Sequence, residues 1–282
     1  MALGVLVIIC IILSAIICAA TGAFIGITWL WALPVGALGC FLVVAGLLFL
    51  IIWGMSLAVD TSKPQEEDNP FYRRTAYLIA SLLKSVLRIR VHTTGMEKVP
   101  QDGRVLLVCN HLSNADPVLL LCYFRSKQLA FISKRENSSM FIVGKLMHKI
   151  LCQLINREND REALKTILKC VQILKEDKAS IGVFPEGYTS VDGLLHPFRH
   201  GVFKIAQKAQ VPIVVCTLKN TQYVFHNGKR LKPTDVYLDV VGVVPPEEIK
   251  GITAVQVGTR VHKMMADNLG PDLVLPETEE KP

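Results

Sequence analysis

The sequence predicts an α/β domain, a mostly parallel sheet covered by helices, preceded by an N-terminal transmembrane helical hairpin. Three observations carry this expectation. Residues 1–59 contain no Asp, Glu, Lys, Arg or His. From Val91 onward, short runs of Val, Ile and Leu alternate with longer amphipathic stretches, the pattern of strands and covering helices. The polar residues able to do chemistry fall at the ends of the apolar runs, where open α/β sheets gather their ligands.

The uncharged segment comes first. A helix needs about 20 residues to cross the hydrocarbon core, so this stretch is long enough to cross twice. Spans are expected at Leu3–Ile25 and Val35–Trp53, joined by a turn from Thr28 to Pro34. Trp29 and Trp31 suit the membrane interface, and Pro34 suits the opening of the second helix. A cleaved signal peptide would carry basic residues before a short apolar core, so retained spans are expected. Lys63, Arg73, Arg74, Lys84, Arg88 and Arg90 follow. The positive-inside rule places that flank, and the domain behind it, on the cytoplasmic side of a cell membrane in which the protein is integral.

Asp60 to Pro70 is a polar linker bounded by prolines. Phe71 to Arg90 reads as a basic amphipathic helix, suited either to the headgroup region or to packing on its own domain. Strands are expected at Val105–Cys109, Leu129–Ser133, Gln153–Ile155, Ile181–Phe184, Val211–Leu218 and Val236–Val244. Helices are expected at Pro117–Phe124, Ser139–Ile150, Arg161–Leu174, Gly201–Ala209 and Thr253–Asn268. Pro271 to Pro282 is an acidic tail. The expected divisions are therefore residues 1–59, 60–90, 91–270 and 271–282.

The 31 basic and 24 acidic residues leave a net charge of +7. That balance suits an anionic membrane surface or an anionic substrate. Neither a nucleic-acid motif nor a basic–aromatic platform is present, which argues against a nucleic-acid partner. The eight cysteines form no C-x-x-C pair and lie mostly in apolar runs, so they read as small buried hydrophobes in a reducing compartment. His148, His196, His200, His226 and His262 lack zinc-type spacing, and no metal site is expected.

The strongest chemical signal is His111 followed five residues later by Asp116. A histidine is the usual general base near neutral pH, and a carboxylate on its second ring nitrogen would fix the tautomer. Asp116 and Pro117 read as N-cap and N1 of the helix that follows. His111 would then sit in a strand-to-helix turn, where the two side chains can meet. Three further clusters stand at strand ends: Lys134 with Arg135, Asn156 with Arg157, and the turn Phe184, Pro185, Glu186, Gly187. Together they offer a base, an orienting acid, cations for an anionic group and a carboxylate on a tight turn.

These residues resemble the phospholipid-biosynthetic glycerolipid acyltransferases from about Val86 to Asn220. Asn110, His111 and Asp116 match that family's His-x4-Asp signature, and Ile155 to Arg157 resembles its second motif. Phe184 to Gly187 matches the third and Val211 to Val214 the fourth, while Thr94 to Pro100 and Pro197 to Gly201 resemble its flanking segments. The resemblance implies acyl transfer to the sn-2 hydroxyl of 1-acyl-glycerol-3-phosphate, without a covalent acyl-enzyme. His111 and Asp116 would be catalytic. Lys134, Arg135 and Arg157 would meet the charged groups, and Glu186 and Gly187 would orient the glycerol. Backbone amides of the His111 turn, helped by Lys134, would stabilise the oxyanion. The expected partners are a lysophospholipid acceptor and, as donor, acyl-CoA or acyl-carrier protein, with no cofactor.

One departure stands out. The family usually reads Pro-Glu-Gly-Thr-Arg, whereas Tyr188 and Thr189 follow Gly187 here. The arginine suited to a substrate phosphate is absent at Thr189, which leaves Lys134, Arg135 or Arg157 to compensate, or a different lysolipid as acceptor. A membrane-anchored lipid-binding protein without turnover is the alternative from another class.

Overall fold

The computed structural model describes residues 2–22, 28–190 and 192–275. The chain divides into two compact units, Met1–Lys63 and Pro64–Pro282.

The first unit holds α1 (Ala2–Ala20) and α2 (Trp29–Leu57). At about 1.5 Å per residue these are ~28 and ~43 Å long. Among the described residues α2 is long and apolar enough to cross a membrane; α1 is equally apolar but shorter. The second helix starts at Trp29, six residues before the expected start at Val35, so Trp29 and Trp31 are helical and Pro34 lies inside the helix. Residues 23–27 of the expected first span and turn lie outside the described residues. Cys10, Ser14 and Cys18, spaced by four, are the buried stripe of α1. The Ser14 hydroxyl donates to the Leu33 carbonyl at 2.9 Å. A Cβ on Gly36 would stand 2.5 Å from that hydroxyl, so the close approach needs glycine.

The second unit runs α3 (Pro70–Val86), β1 (Ile89–Thr94), β2 (Leu106–Cys109), α4 (Asp116–Tyr123), β3 (Leu129–Lys134), α5 (Val143–Lys149), β4 (Gln153–Ile155) and α6 (Asp160–Lys175). It continues with β5 (Ser180–Val183), α7 (Lys204–Ala209), β6 (Ile213–Lys219), α8 (Val224–Lys229), β7 (Thr234–Val244), α9 (Pro246–Ile249) and α10 (Ala254–Leu269). The seven strands lie in the order β1-β7-β6-β2-β5-β3-β4. Strands β6, β2, β5, β3 and β4 are parallel; β7 is antiparallel to β6 and carries β1 beside it.

Successive residues of β2 face opposite sides of the sheet. Leu106 and Val108 join a core with Ile167, Cys170, Val261 and Met265 of α6 and α10. Leu107 and Cys109 join a second core with Leu119, Leu120 and Phe124 of α4 and its end. The unit is thus a sheet with helices on both faces. Helix α3 packs on this unit through Ala76, Ala80 and the buried Arg73. Arg73 pairs with Asp68 at 2.8 Å and donates to the carbonyls of Leu129 and Ile150. The helix stops at Val86, so the expected continuation to Arg90 is wrong: Ile89 and Arg90 begin β1. The expected helix Ser139–Ile150 is likewise shorter. Gly144 lies against Ser138, leaving a 3₁₀ turn at Arg135–Ser139 before α5.

Candidate active site

The five parallel strands end on one rim, and the loops leaving them carry the chemistry. The first is the turn after β2. Asn110 is buried, and its carboxamide continues the strand pairing by other means. Its Nδ2 donates to the Leu218 carbonyl at 2.9 Å, and its Oδ1 accepts from the Leu218 amide at 2.7 Å. This ties the end of β2 to β6, and His111 follows directly.

The His111 Nδ1 lies 2.8 Å from Asp116 Oδ2. Asp116 is fully buried, whereas the His111 side chain is 16% exposed. An ionised carboxylate only accepts, so Nδ1 carries the proton and Nε2 keeps its lone pair. Asp116 Oδ2 also accepts from the amides of Leu112 and Ser113 at 2.7 and 2.8 Å. This corrects the expected capping role. The N-cap residue of α4 is Ala115, and the Asp116 carboxylate turns back into the His111 turn instead of onto its own helix. The other oxygen, Oδ1, is buried without a hydrogen-bond partner.

Aromatic packing holds the imidazole from its face. His111 stacks on Phe184 with ring centroids 4.2 Å apart, and Phe184 stacks on Phe131 at 6.0 Å. Phe131 lies beside Gly182 in the β3–β5 register. A Cβ on Gly182 would stand 2.5 Å from the Phe131 ring, so glycine leaves the space that the stack fills.

Glu186 sits on the turn after β5 and is 1% exposed. Its Oε1 accepts from the His111 amide at 2.7 Å. Its Oε2 accepts from the Ser190 hydroxyl at 2.6 Å and from the His196 amide at 3.1 Å. The Ser190 amide in turn donates to the His111 carbonyl at 2.7 Å. Burial pushes the Glu186 carboxyl above its ordinary value, and these donors partly offset the push. Glu186 therefore holds the backbone of the His111 turn. Gly187 has φ +85°, a left-handed conformation, and bonds back to Phe184 at 3.1 Å.

Of the turn amides expected to stabilise an oxyanion, those of His111, Leu112, Ser113, Ala115 and Asp116 have acceptors inside the protein, which leaves the Asn114 amide as the one without an acceptor among the described residues. Cations are the other expected stabiliser. Lys134 stands exposed at the end of β3. Arg135 pairs with Glu162 of α6 at 3.2 Å, and Asn156 donates to the same oxygen. These residues line a polar cleft of about 330 Å³ with Lys165 and Thr166. Arg157 follows β4 and forms none of the ion pairs among the described residues. Burial first, and the neighbouring Arg199 second, hold its guanidinium below the ordinary value. Arg199 is a residue that strand-end reasoning missed, because it enters from the long loop after β5. The segment Pro197 to Gly201 was its only signal.

All eight cysteines are free. Burial raises the thiols of Cys109, Cys152, Cys170 and Cys216, which makes them inert packing groups. Among the described residues no three His, Cys, Asp or Glu side chains are placed to hold a metal ion.

Residues 90–219, which contain this whole arrangement, match the family model described as Acyltransferase. These residues belong to the acyltransferase family. The acyltransferase domain also has named relatives. The chain is 33% identical over 196 residues to a 1-acyl-sn-glycerol-3-phosphate acyltransferase of Chlamydomonas reinhardtii, covering 68% of this chain and 57% of that protein. It is 31% identical over 198 residues to a chloroplastic 1-acyl-sn-glycerol-3-phosphate acyltransferase of Brassica napus, covering 67% of this chain and 55% of that protein. The chain thus spans little more than half the length of these relatives. The crystal structure of PlsC, a 1-acyl-sn-glycerophosphate acyltransferase from Thermotoga maritima, superposes with a TM-score of 0.57. It is 20% identical and is matched over 78% of this chain and 86% of that one, which establishes the shared fold.

Proposed function

We propose that the chain transfers a fatty acyl group to the sn-2 hydroxyl of 1-acyl-sn-glycerol 3-phosphate, giving phosphatidic acid. The observation that carries this reading is the His111 ring: Nδ1 is committed to Asp116, and the side chain opens onto the rim with Nε2 free. Nε2 takes the proton of the acceptor hydroxyl. The oxygen attacks the carbonyl of an acyl thioester, the carbon–sulfur bond breaks, and the imidazolium returns the proton to the leaving thiolate. Asp116 stabilises the imidazolium in between. Acyl-CoA and acyl-carrier protein are both donors of this chemistry. The names of the Chlamydomonas and Brassica relatives support the acceptor.

The rim also suits a bilayer. Met140, Phe141 and Val143 after β3, Tyr188 after β5, and Tyr223 and Phe225 after β6 are exposed apolar side chains on the side where His111 opens. With α1 and α2 as membrane spans, the acyltransferase domain would draw its acceptor from the cytoplasmic leaflet.

The test crosses lysophosphatidic acid and other lysolipids against acyl-CoA and acyl-carrier protein, using purified full chain in detergent. Phosphatidic acid formation that is lost in His111→Ala is expected. Acylation of another lysolipid with none of lysophosphatidic acid would replace the acceptor, a reading that Thr189 at the usual arginine position favours. Lipid binding without any transfer would remove the enzyme reading altogether.

A further inference from the structure

The loop after β5 carries Glu186, and between Val183 and His200 it holds no helix or named strand among the described residues. A stretch of that length needs ties if the carboxylate it bears is to keep its place. Its two ends are tied to each other. The Arg199 amide donates to the Pro185 carbonyl at 2.8 Å, and the Arg199 stem lies on Gly187, where a Cβ would stand 2.9 Å from Nε.

The middle of the loop is tied to the C-terminal side of the chain. Past α10 the backbone turns at Gly270, with φ +86°, passes through a 3₁₀ turn at Pro271–Leu273 and then runs parallel to the loop. The Leu195 amide donates to the Leu273 carbonyl at 2.8 Å, and the Leu275 amide donates to the Leu195 carbonyl at 3.1 Å. Leu195 is buried in the core that α10 also enters, and Leu273 and Val274 pack against that core.

The next residue is His196. Its amide donates to Glu186 Oε2 at 3.1 Å. Its ring is held by Asp192 at 2.8 Å and by the edge of the Tyr188 ring. The Leu195 carbonyl and the His196 N–H belong to one peptide unit, which is planar and rigid. The Leu275 amide therefore grips the oxygen of the same plate whose N–H meets Glu186. Glu186 Oε1 in turn accepts from the His111 amide at 2.7 Å.

We propose that Leu273–Leu275 is a positioning strap for the acyl-transfer reaction. It fixes the Leu195–His196 peptide so that Glu186 holds the His111 turn in place for proton transfer. This rests on the acyl-transfer reading for its rate test, but not for its exchange test.

Leu275→Pro removes the gripping amide, whereas Leu275→Ala keeps it and trims only the side chain. Full chain in detergent is measured in two ways. Single-turnover acyl transfer at saturating enzyme gives a rate constant that a smaller folded fraction does not change. Hydrogen exchange read by mass spectrometry reports the backbone directly. Leu275→Pro should slow the rate constant on the order of 10-fold, with acceptor and donor KM near wild type. It should also speed exchange in the segments containing His196 and His111, and Leu275→Ala should resemble wild type in both. A wild-type rate constant in Leu275→Pro overturns the proposal, as does faster exchange that stops at Leu195. Equal slowing in Leu275→Ala also overturns it, because packing and not the backbone grip would then be the cause. If Leu275→Pro does not fold, wild-type exchange in rising urea replaces it: the strap and the His196 segment should lose protection together, and a strap that opens alone refutes the coupling. If wild type transfers no acyl group, the exchange result still decides the strap, and only the acyl-transfer reading falls.

Discussion

Replacing Asp116 with asparagine separates the charge of the carboxylate from its geometry. Oδ2 accepts from the His111 ring at 2.8 Å and from the Leu112 and Ser113 amides at 2.7 and 2.8 Å. A carboxamide has one accepting oxygen and one donating nitrogen. The two backbone amides can only donate, so the oxygen must take the Oδ2 place and the nitrogen the Oδ1 place. The ring then keeps its proton on Nδ1, and Nε2 stays a base. Only the negative charge facing the imidazolium is lost. A hydrogen bond to a charged group contributes about 1.5–3 kcal/mol and a neutral one about 0.5–1.5 kcal/mol. The difference, roughly 1–1.5 kcal/mol, corresponds to on the order of 10-fold in rate. Asp116→Ala removes the orientation as well, with an expected loss of about 10²–10⁴-fold. The same weakening at two amides, with a buried NH₂ in the unpartnered Oδ1 place, also lowers the melting temperature, by about 2–4 °C per kcal/mol. Single-turnover acyl transfer, run where circular dichroism shows all variants folded, makes the comparison. An asparagine variant as inactive as the alanine variant would show that the backbone amides do not lock the side chain.

Burial holds the Glu186 carboxyl above its ordinary value. Ionising it therefore costs the folded state: its contribution to stability is full below the unfolded pKa and is lost as pH rises through the folded one. Glu186→Gln should flatten that slope in melts run from about pH 4 to pH 7 while loosening the His111 turn, so a slope equal to wild type would count against it. Gly182→Ala would drive a methyl to within 2.5 Å of the Phe131 ring. It should cost about 1–3 kcal/mol in urea unfolding and disturb the stack under His111; an unchanged midpoint would mean that the rings move freely. Reporter tags before Leu3 and after Asp60 should both be cytoplasmic, and one inserted between α1 and α2 should be on the opposite side. Three cytoplasmic tags would make the first unit a shallow insertion.

The helices on the sheet and the strands that carry the site were legible, because their periodicities are strong and local. The His111–Asp116 pairing was legible because the partners are five residues apart and the turn between them follows an apolar strand. Edge strand β1 was not. Only Ile89 of its six residues is buried, so Arg90 and His92 blur the pattern and the helix before it seemed to run on. The short α8 and α9 span six and four residues, too few for a period to emerge. The N-cap was misplaced by one residue, Ala115 holding that position, since Asp-Pro before an apolar run signals a cap, and nothing local reports the two amides that also hold the Asp116 carboxylate. Glu186 was visible as a carboxylate on a tight turn, but its bond to the His111 amide links residues 75 apart. The same holds for Arg199, whose place over Gly187 depends on the whole path of the loop after β5.

The anchoring of the His111 turn has a mechanical consequence. Asn110 ties it to β6, and Glu186 ties it to the end of β5, the two strands that flank β2. The proton acceptor is thereby referenced to the middle of the sheet. The outlying segments around Phe141 and Phe225 hang from the same rim but share none of those ties. A push on those segments would reach the imidazole only through the sheet itself, as a tool is held steady by a frame whose feet rest on uneven ground.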